Sequence, residues 1–509
     1  MKNVRDHFSL ANLKTLLILF CGMTIAAYAE PPSWVRAITT QGSGNSCNTN
    51  QCDDISYAIK VGHDGSLYVT GRFSGTIQFA GTTLTSRGGL DIFLAKYTSN
   101  GKLLWVVQSG GTGDDSASSL DVDGAGNIYV TGGFTISAVF GSTNGVTQTV
   151  TGGGLGSTIF LAKYTPSGAL LWVQTGIACC GGTVNGANGV AVDRAAGTVY
   201  LTGVTQGDVT FTSQNGASNT VPGVWTWHMV LAKYDTEGNF QWGQVNEASP
   251  NSIPDGIAVD EKHNVYVTGW LEDETTFFSN DGEDITVFGL SPAQTTFDYP
   301  DDCFLAQYDQ DGNAKWVTDI GGYKCNASRV AVSRRGDEVT VVGYFGNINY
   351  GSPSEEETIV TSLPPGKNST LADGAFTNPY TKNGFVVTYH ADGVLRWVHR
   401  VGGDMQEVAT GVAYDHKDNL YVSGVYQGQV DPQNVFVRKY SGKRLLWKKT
   451  AGNAGVWVGN NTILSPALAV DRKGRVFVTG AYQGTATFGK ITLNGTGAAD
   501  IFLAELASE

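Results

Sequence analysis

Gly189-Val190-Ala191-Val192-Asp193, Thr198-Val199-Tyr200-Leu201-Thr202-Gly203, Val230-Leu231-Ala232-Lys233-Tyr234 and Asn239-Phe240-Gln241-Trp242 follow one another in a single stretch. Each is a short apolar or alternating run bounded by Gly, Asn or Asp, and reads as a β-strand. We label them a, b, c and d. The strand-b core recurs as Tyr68-Val69-Thr70-Gly71, Tyr129-Val130-Thr131-Gly132, Tyr266-Val267-Thr268-Gly269, Thr340-Val341-Val342-Gly343, Tyr421-Val422-Ser423-Gly424 and Phe477-Val478-Thr479-Gly480. With the first copy that makes seven, and self-similarity at this period marks a repeat architecture.

The strand-d Trp recurs at 105, 172, 242, 316, 397 and 447, and none follows the last strand c. A matching strand, Trp34-Val35-Arg36-Ala37-Ile38, stands at the other end. An open array leaves two raw sheet edges. A last blade that takes its fourth strand from the N-terminus closes them. The expected fold is therefore all-β: one seven-bladed β-propeller of four-stranded antiparallel blades over residues 30–509.

Composition agrees. The chain has 509 residues, 41% hydrophobic and 16% charged, with 67 Gly and 54 aromatic residues (11 Trp, 21 Tyr, 22 Phe) against 4 Met. That excludes a disordered chain. Gly follows no three-residue period, which excludes collagen. A formal charge of −13 argues against nucleic acid or an anionic membrane as partner. Residues 1–29 read as a secretory signal peptide: Lys2, Arg5 and Lys14, then the apolar Thr15–Ala26, then the Ala27-Tyr28-Ala29 cleavage site. The apolar run is too short to span a bilayer, so export without membrane insertion is expected, to the periplasm, the cell surface or the medium. Cys47, Cys52, Cys179, Cys180, Cys303 and Cys325 then suggest disulfides, by proximity 47–52, 179–180 and 303–325.

The motifs Ala-Val-Asp-x-x-Gly-Asn-x-Tyr-Val-Thr-Gly and Phe-Leu-Ala-Lys-Tyr-x-x-x-Gly-x-x-x-Trp resemble the bacterial β-propeller repeat family labelled SBBP. The resemblance runs over residues 32–509 and is weakest at Ser333-Arg334-Arg335-Gly336 and Val386-Val387-Thr388-Tyr389. It implies an extracytoplasmic bacterial propeller and carries no catalytic residue with it.

Antiparallel blades place the short a–b and c–d turns on one face and the longer b–c and d–a loops on the other. Long loops on a rigid frame are where function concentrates. Trp225, Trp227, Trp270 and Trp457 lie in or beside those loops and suit stacking on a sugar or anchoring a partner; packing beneath the loops is the plain alternative. His228 breaks the symmetry of the strand-c starts with a titratable ring. Asp54, Asp115 and Glu407, before strand a, and Asp91, Asp302 and Asp500, at the start of strand c, could form a polar ring at the channel mouth, or simply cap local turns. Turns such as Asp309-Gln310-Asp311-Gly312-Asn313 hint at calcium but are short and lack a closing Glu. No other cofactor is expected, and no nucleophile elbow, zinc-protease pair, phosphate loop or haem motif is present. The sequence thus points to a binding or scaffold module for a protein or glycan. A propeller lyase, hydrolase or quinoprotein working near His228, or a structural surface component, are the alternatives.

Overall fold

The computed structural model describes residues 30–508 apart from 43–53, 154–155, 179–185, 249–250, 290–300, 322–324, 346–357, 363–368, 372–382, 403–406, 427–433, 453–455, 459–461, 465 and 497–498. Among the described residues there are strands and no helix. The second unit shows the pattern: Ser116–Val122 is strand a, Ile128–Thr135 b, Ser157–Tyr164 c and Leu170–Ala178 d, hydrogen-bonded in that order. Among the described residues, seven sets of four strands pair in this order, three of them within six-stranded sheets. In the seventh, strand d is Trp34–Thr39, which pairs antiparallel with Asp500–Leu506. Each strand a packs beside strand a of the next unit, and Ala467–Val470 of the seventh packs beside Ile55–Val61 of the first.

The strand-b motif has a physical reason at each position. Thr131 Oγ1 donates to Phe160 O of strand c at 2.6 Å, and Thr70, Thr202, Thr268 and Thr479 do the same in their units. The following Gly meets a bulge in strand a. A Cβ on Gly132 would lie 2.0 Å from Ser116 O, and one on Gly71 1.9 Å from Ile55 O. No larger residue fits there.

The core lies between units rather than within them. Tyr68, Ile92 and Leu94 of the first unit pack with Leu120, Val130 and Phe160 of the second. Ile59, Val69 and Phe93 of the first pack with Ala469, Phe477 and Leu503 of the seventh.

Polar clamps join the same neighbours. Lys163 Nζ and Trp172 Nε1 of the second unit both donate to Thr236 O in the third unit's c–d turn, at 2.6 and 3.4 Å. Gly238, two residues on, has φ +88°, and a Cβ there would lie 2.9 Å from the Trp172 ring. Lys96 with Trp105 on Pro166 O, Lys233 with Trp242 on Gln310 O, and Gln307 with Trp316 on Ala391 O repeat the device. The Lys-Tyr-x-x-x-Gly-x-x-x-Trp spacing therefore serves two blades at once. Its Lys and Trp grip the next unit, while its Gly admits the Trp of the previous one.

Trp34 does not take the strand-d Trp position expected of it. Trp105 pairs with Lys96 and Leu103 with Tyr97, whereas Arg36 pairs with Glu505 and Trp34 with Leu506. Arg36 fills the Trp slot: it lies against Gly101 of the first unit and its Nη1 meets Glu505 at 2.5 Å. Arg475 Nη1 donates to Ser99 O, the carbonyl that a Lys–Trp pair would hold. Trp34 instead packs edge-on to Phe488, 5.1 Å between centroids, and donates to Thr450 O at 2.9 Å.

The b–c connections are less free than their length suggested. In the second unit Ser137–Phe140 and Gln148–Thr151 form a hairpin whose first strand pairs with strand d of the first unit. Phe140 folds inward onto Phe160 at 4.9 Å, and Phe79–Phe93, Phe277–Phe304 and Phe488–Phe502 repeat that contact at 5.1 Å. Cys303 and Cys325 form the expected disulfide, tying strand c of the fourth unit to the entry of the fifth. Cys47, Cys52, Cys179 and Cys180 lie outside the described residues, as does the segment 1–29.

Candidate functional site

The carboxylates expected as a ring at the channel mouth are turned into the wall. Asp91, Asp115, Asp302 and Asp500 are wholly buried and Asp54 nearly so. Asp500 accepts from Gly42 N and Thr496 N at 2.9 and 2.8 Å, and Asp115 from Gly111 N and Thr135 N at 2.6 and 3.0 Å. Asp54 accepts from Ser74 N, and Asp91 from Gln108 Nε2 at 2.6 Å. Glu407 is held between Arg438 and Lys448 at 2.5 and 2.9 Å. The physical reason is local: irregular chain at each strand entry leaves N–H groups that need an acceptor. Burial, with Asp91 and Asp114 nearby, pushes Asp115 up to about 7. The Asp309 carboxylate is likewise spent on its own turn, taking Asp311 N, Asn313 N and Asn313 Nδ2 at 2.8–2.9 Å.

His228 starts strand c of the third unit and is fully buried, with Nε2 2.5 Å from Thr226 Oγ1. Burial pulls its pKa down to about 4, so the ring is neutral at pH 7. Because the folded value lies below the unfolded one, protonation favours the unfolded chain. Stability is complete above about pH 6.5 and falls as pH drops toward 4, by about 1.4 kcal/mol per unit. His228→Asn installs the residue found at the same place in Asn383 and Asn434. Thermal melts at pH 7 and pH 4.5 are expected to show the wild type losing about 2–3 kcal/mol relative to this variant; parallel losses in both would refute the assignment.

The loop tryptophans separate. Trp225 is 73% exposed, Trp227 is half-buried, and Trp270 sits half-buried on strand b opposite Cys303. Trp457 lies in Val456–Val458, paired with Thr462–Leu464 before the last strand a. Ile136, Val146, Val224 and Phe288 are also large, exposed and apolar, and all belong to b–c connections. Val146 belongs to a hairpin tip that reaches the c–d turn of its own unit, where Thr143 N donates to Gly168 O.

The strands a enclose a channel of about 430 Å³. Its wall carries charge in pairs. Asp121 faces Lys60 and Arg194 at 3.4 and 3.6 Å, and Arg329 donates to Asp255 O at 2.9 Å. Burial outweighs the pull of Arg329 and pushes the Asp255 carboxyl up to about 7. On the short-turn side the channel opens into a recess of about 320 Å³ between a–b turns, lined by His63, Arg194, Arg472, Lys473 and Arg475.

Residues 104–132, from strand d of the first unit to strand b of the second, match the family model described as a beta-propeller repeat (SBBP). The chain carries a β-propeller repeat. This propeller-repeat chain is 24% identical over 386 residues to an uncharacterized WD repeat-containing protein, L264, of Acanthamoeba polyphaga mimivirus. That alignment takes in 68% of the propeller-repeat chain and 27% of the viral protein, so the chain spans about a quarter of the relative's length. Among solved structures it is similar to a Dos1 propeller (TM-score 0.40, 7% identity, 94% and 96% of the two chains). It is also similar to a streptogramin B lyase (TM-score 0.37, 8% identity, 93% and 99%).

Proposed function

We propose that the protein is a closed seven-bladed propeller, exported and non-enzymatic, that holds a protein or glycan partner on its b–c/d–a face. The observation that carries this reading is the exposure of two aromatic side chains on b–c connections, Trp225 at 73% and Phe288 at 64%. Five of the eight large apolar side chains exposed among the described residues sit on b–c connections; the other three, Val35, Leu104 and Leu171, lie on outer strands d. Exposed aromatics on a rigid frame are the anchors that interfaces use. The Cys303–Cys325 disulfide suits an oxidising compartment. His228 and the carboxylates Asp91, Asp115, Asp302 and Asp500 are turned inward, while Trp225 and Phe288 face solvent, which favours binding on this face.

The test is binding of the purified protein to arrayed glycans and to envelope proteins, compared with Trp225→Ala and Phe288→Ser. We expect bound partners to be lost in these variants while the melting temperature stays put, because both side chains already face solvent. Undiminished binding in both variants would overturn the reading.

A further inference from the structure

The geometry points to a second binding site on the opposite, short-turn face: the recess at the channel's a–b mouth takes a small, multiply charged oxyanion whose negative groups are phosphate or carboxylate. It is independent of the partner proposed above.

The a–b turns carry exposed cations out of proportion to an acidic chain. Arg194, Lys262, Arg334, Arg335, Lys417, Arg472 and Lys473 all project from them. Most are spread around the rim, but three converge. The second unit's turn, Asp123-Gly124-Ala125-Gly126, has no long side chain, and Arg194 of the third unit reaches across to the recess between the seventh and first units. Arg472, Lys473 and His63 line the same recess. Lys60 lies in the adjoining channel wall.

The charges in this recess are unevenly neutralised. Its two acids are already engaged. Asp64 is held by Lys96 Nζ at 3.2 Å and by Ser66 N and Oγ at 2.9 Å. Asp471 accepts from Lys473 N, Arg475 N and the Arg475 guanidinium at 2.7–2.9 Å. Arg475 is spent in turn on Asp471, Ser99 O and Glu505. Arg472 has only His63 Nδ1, to which its Nη2 donates at 3.0 Å, and no carboxylate among the described residues lies within ion-pair distance of Arg472 or Lys473. By contrast Arg335, on the same rim, is ion-paired with Asp418 at 3.2 Å, and the same carboxylate accepts from the Arg334 backbone N–H at 2.8 Å. Arg194 is partly committed, to Asp121 at 3.6 Å and Val122 O at 2.9 Å, so Arg472 and Lys473 carry most of the unneutralised charge on this small-ligand-sized concavity, which suits a phosphate or carboxylate group.

The experiment is titration calorimetry of the purified full chain at low salt with sodium pyrophosphate, with citrate, and with glucose as an uncharged control. We expect one saturable site for pyrophosphate, citrate or both, and none for glucose. The oxyanion bound more tightly identifies the head group. Affinity should fall about tenfold or more in Arg472→Ala/Lys473→Ala and in Arg194→Ala, and stay within about twofold in Arg334→Ala/Arg335→Ala. All these side chains are exposed, so unchanged melting temperatures certify the fold of each variant. No saturable binding of either anion by the wild type, or equal losses in the recess and rim variants, would overturn the proposal.

Discussion

Deleting residues 30–39 is expected to abolish the single cooperative melt of this protein. The strand Trp34–Thr39 pairs with Asp500–Leu506 over five registers, from Trp34↔Leu506 to Thr39↔Phe502. Without it that strand becomes a raw edge, and raw edges recruit other chains. Trp34 is 6% exposed and packs among Trp447, Phe488 and Leu506. Its loss alone, as Trp34→Ala, should cost about 3–5 kcal/mol. The whole strand should cost more, because Arg36–Glu505 and the ladder go with it. Circular dichroism melts and light scattering are the measurements. A truncated protein that melts within about 5 °C of the wild type and stays monodisperse would show the strand to be dispensable. A peptide of residues 30–42 added in trans should restore much of the lost stability by strand addition.

Trp172→Ala should be the next most costly change, at about 3–5 kcal/mol. It removes a side chain only 5% exposed, its 6.0 Å contact with Tyr129, and the bond to Thr236 O. The partner change, Gly238→Ala, acts on the same joint from the other side. It combines a left-handed backbone, about 1–2 kcal/mol, with a Cβ pressed to 2.9 Å from the Trp172 ring. We expect about 2–4 kcal/mol in total for that substitution. The two are not additive: once the ring is gone the Cβ has space, and only the backbone strain remains. Urea melts of the two single variants and the double should give a combined cost about 1–2 kcal/mol below the sum. Strict additivity would mean that the glycine is there for its φ alone.

Much of this architecture can be read from the residues. Strands a to d follow from short apolar runs between Gly, Asn and Asp, and the missing final Trp strand pointed to the N-terminus. The spacing Lys-Tyr-x-x-x-Gly-x-x-x-Trp is visible as a signature, but its meaning is not, because its parts act on different units. Trp172 and Gly238 are far apart in sequence and touch only after blades stack. The same limit misled the reading of Trp34. The slot it was expected to fill is defined by register, and a two-residue offset gives that slot to Arg36. The b–c hairpins could have been foreseen in part. Thr485-Ala486-Thr487-Phe488 and Thr76-Ile77-Gln78-Phe79 alternate as half-buried strands do. The mouth carboxylates fell to the ordinary competition between a ligand and a backbone N–H, which the nearer N–H wins. The basic recess escaped notice because Arg194 and Arg472 come from distant repeats, and a net charge of −13 averages them away.

The joint between Trp34–Thr39 and Asp500–Leu506 also sets an order of events for a nascent chain. Trp34–Thr39 is made long before its partner, Asp500–Leu506. At 5–20 residues per second it waits roughly 20–100 s. Every other joint can form as soon as its neighbour has been made. This one cannot, so until Asp500–Leu506 has been made the chain carries one unmatched strand, Trp34–Thr39, and one unfinished sheet at the growing end. Any holding factor that assists this protein would need to recognise those two segments, and to release them together.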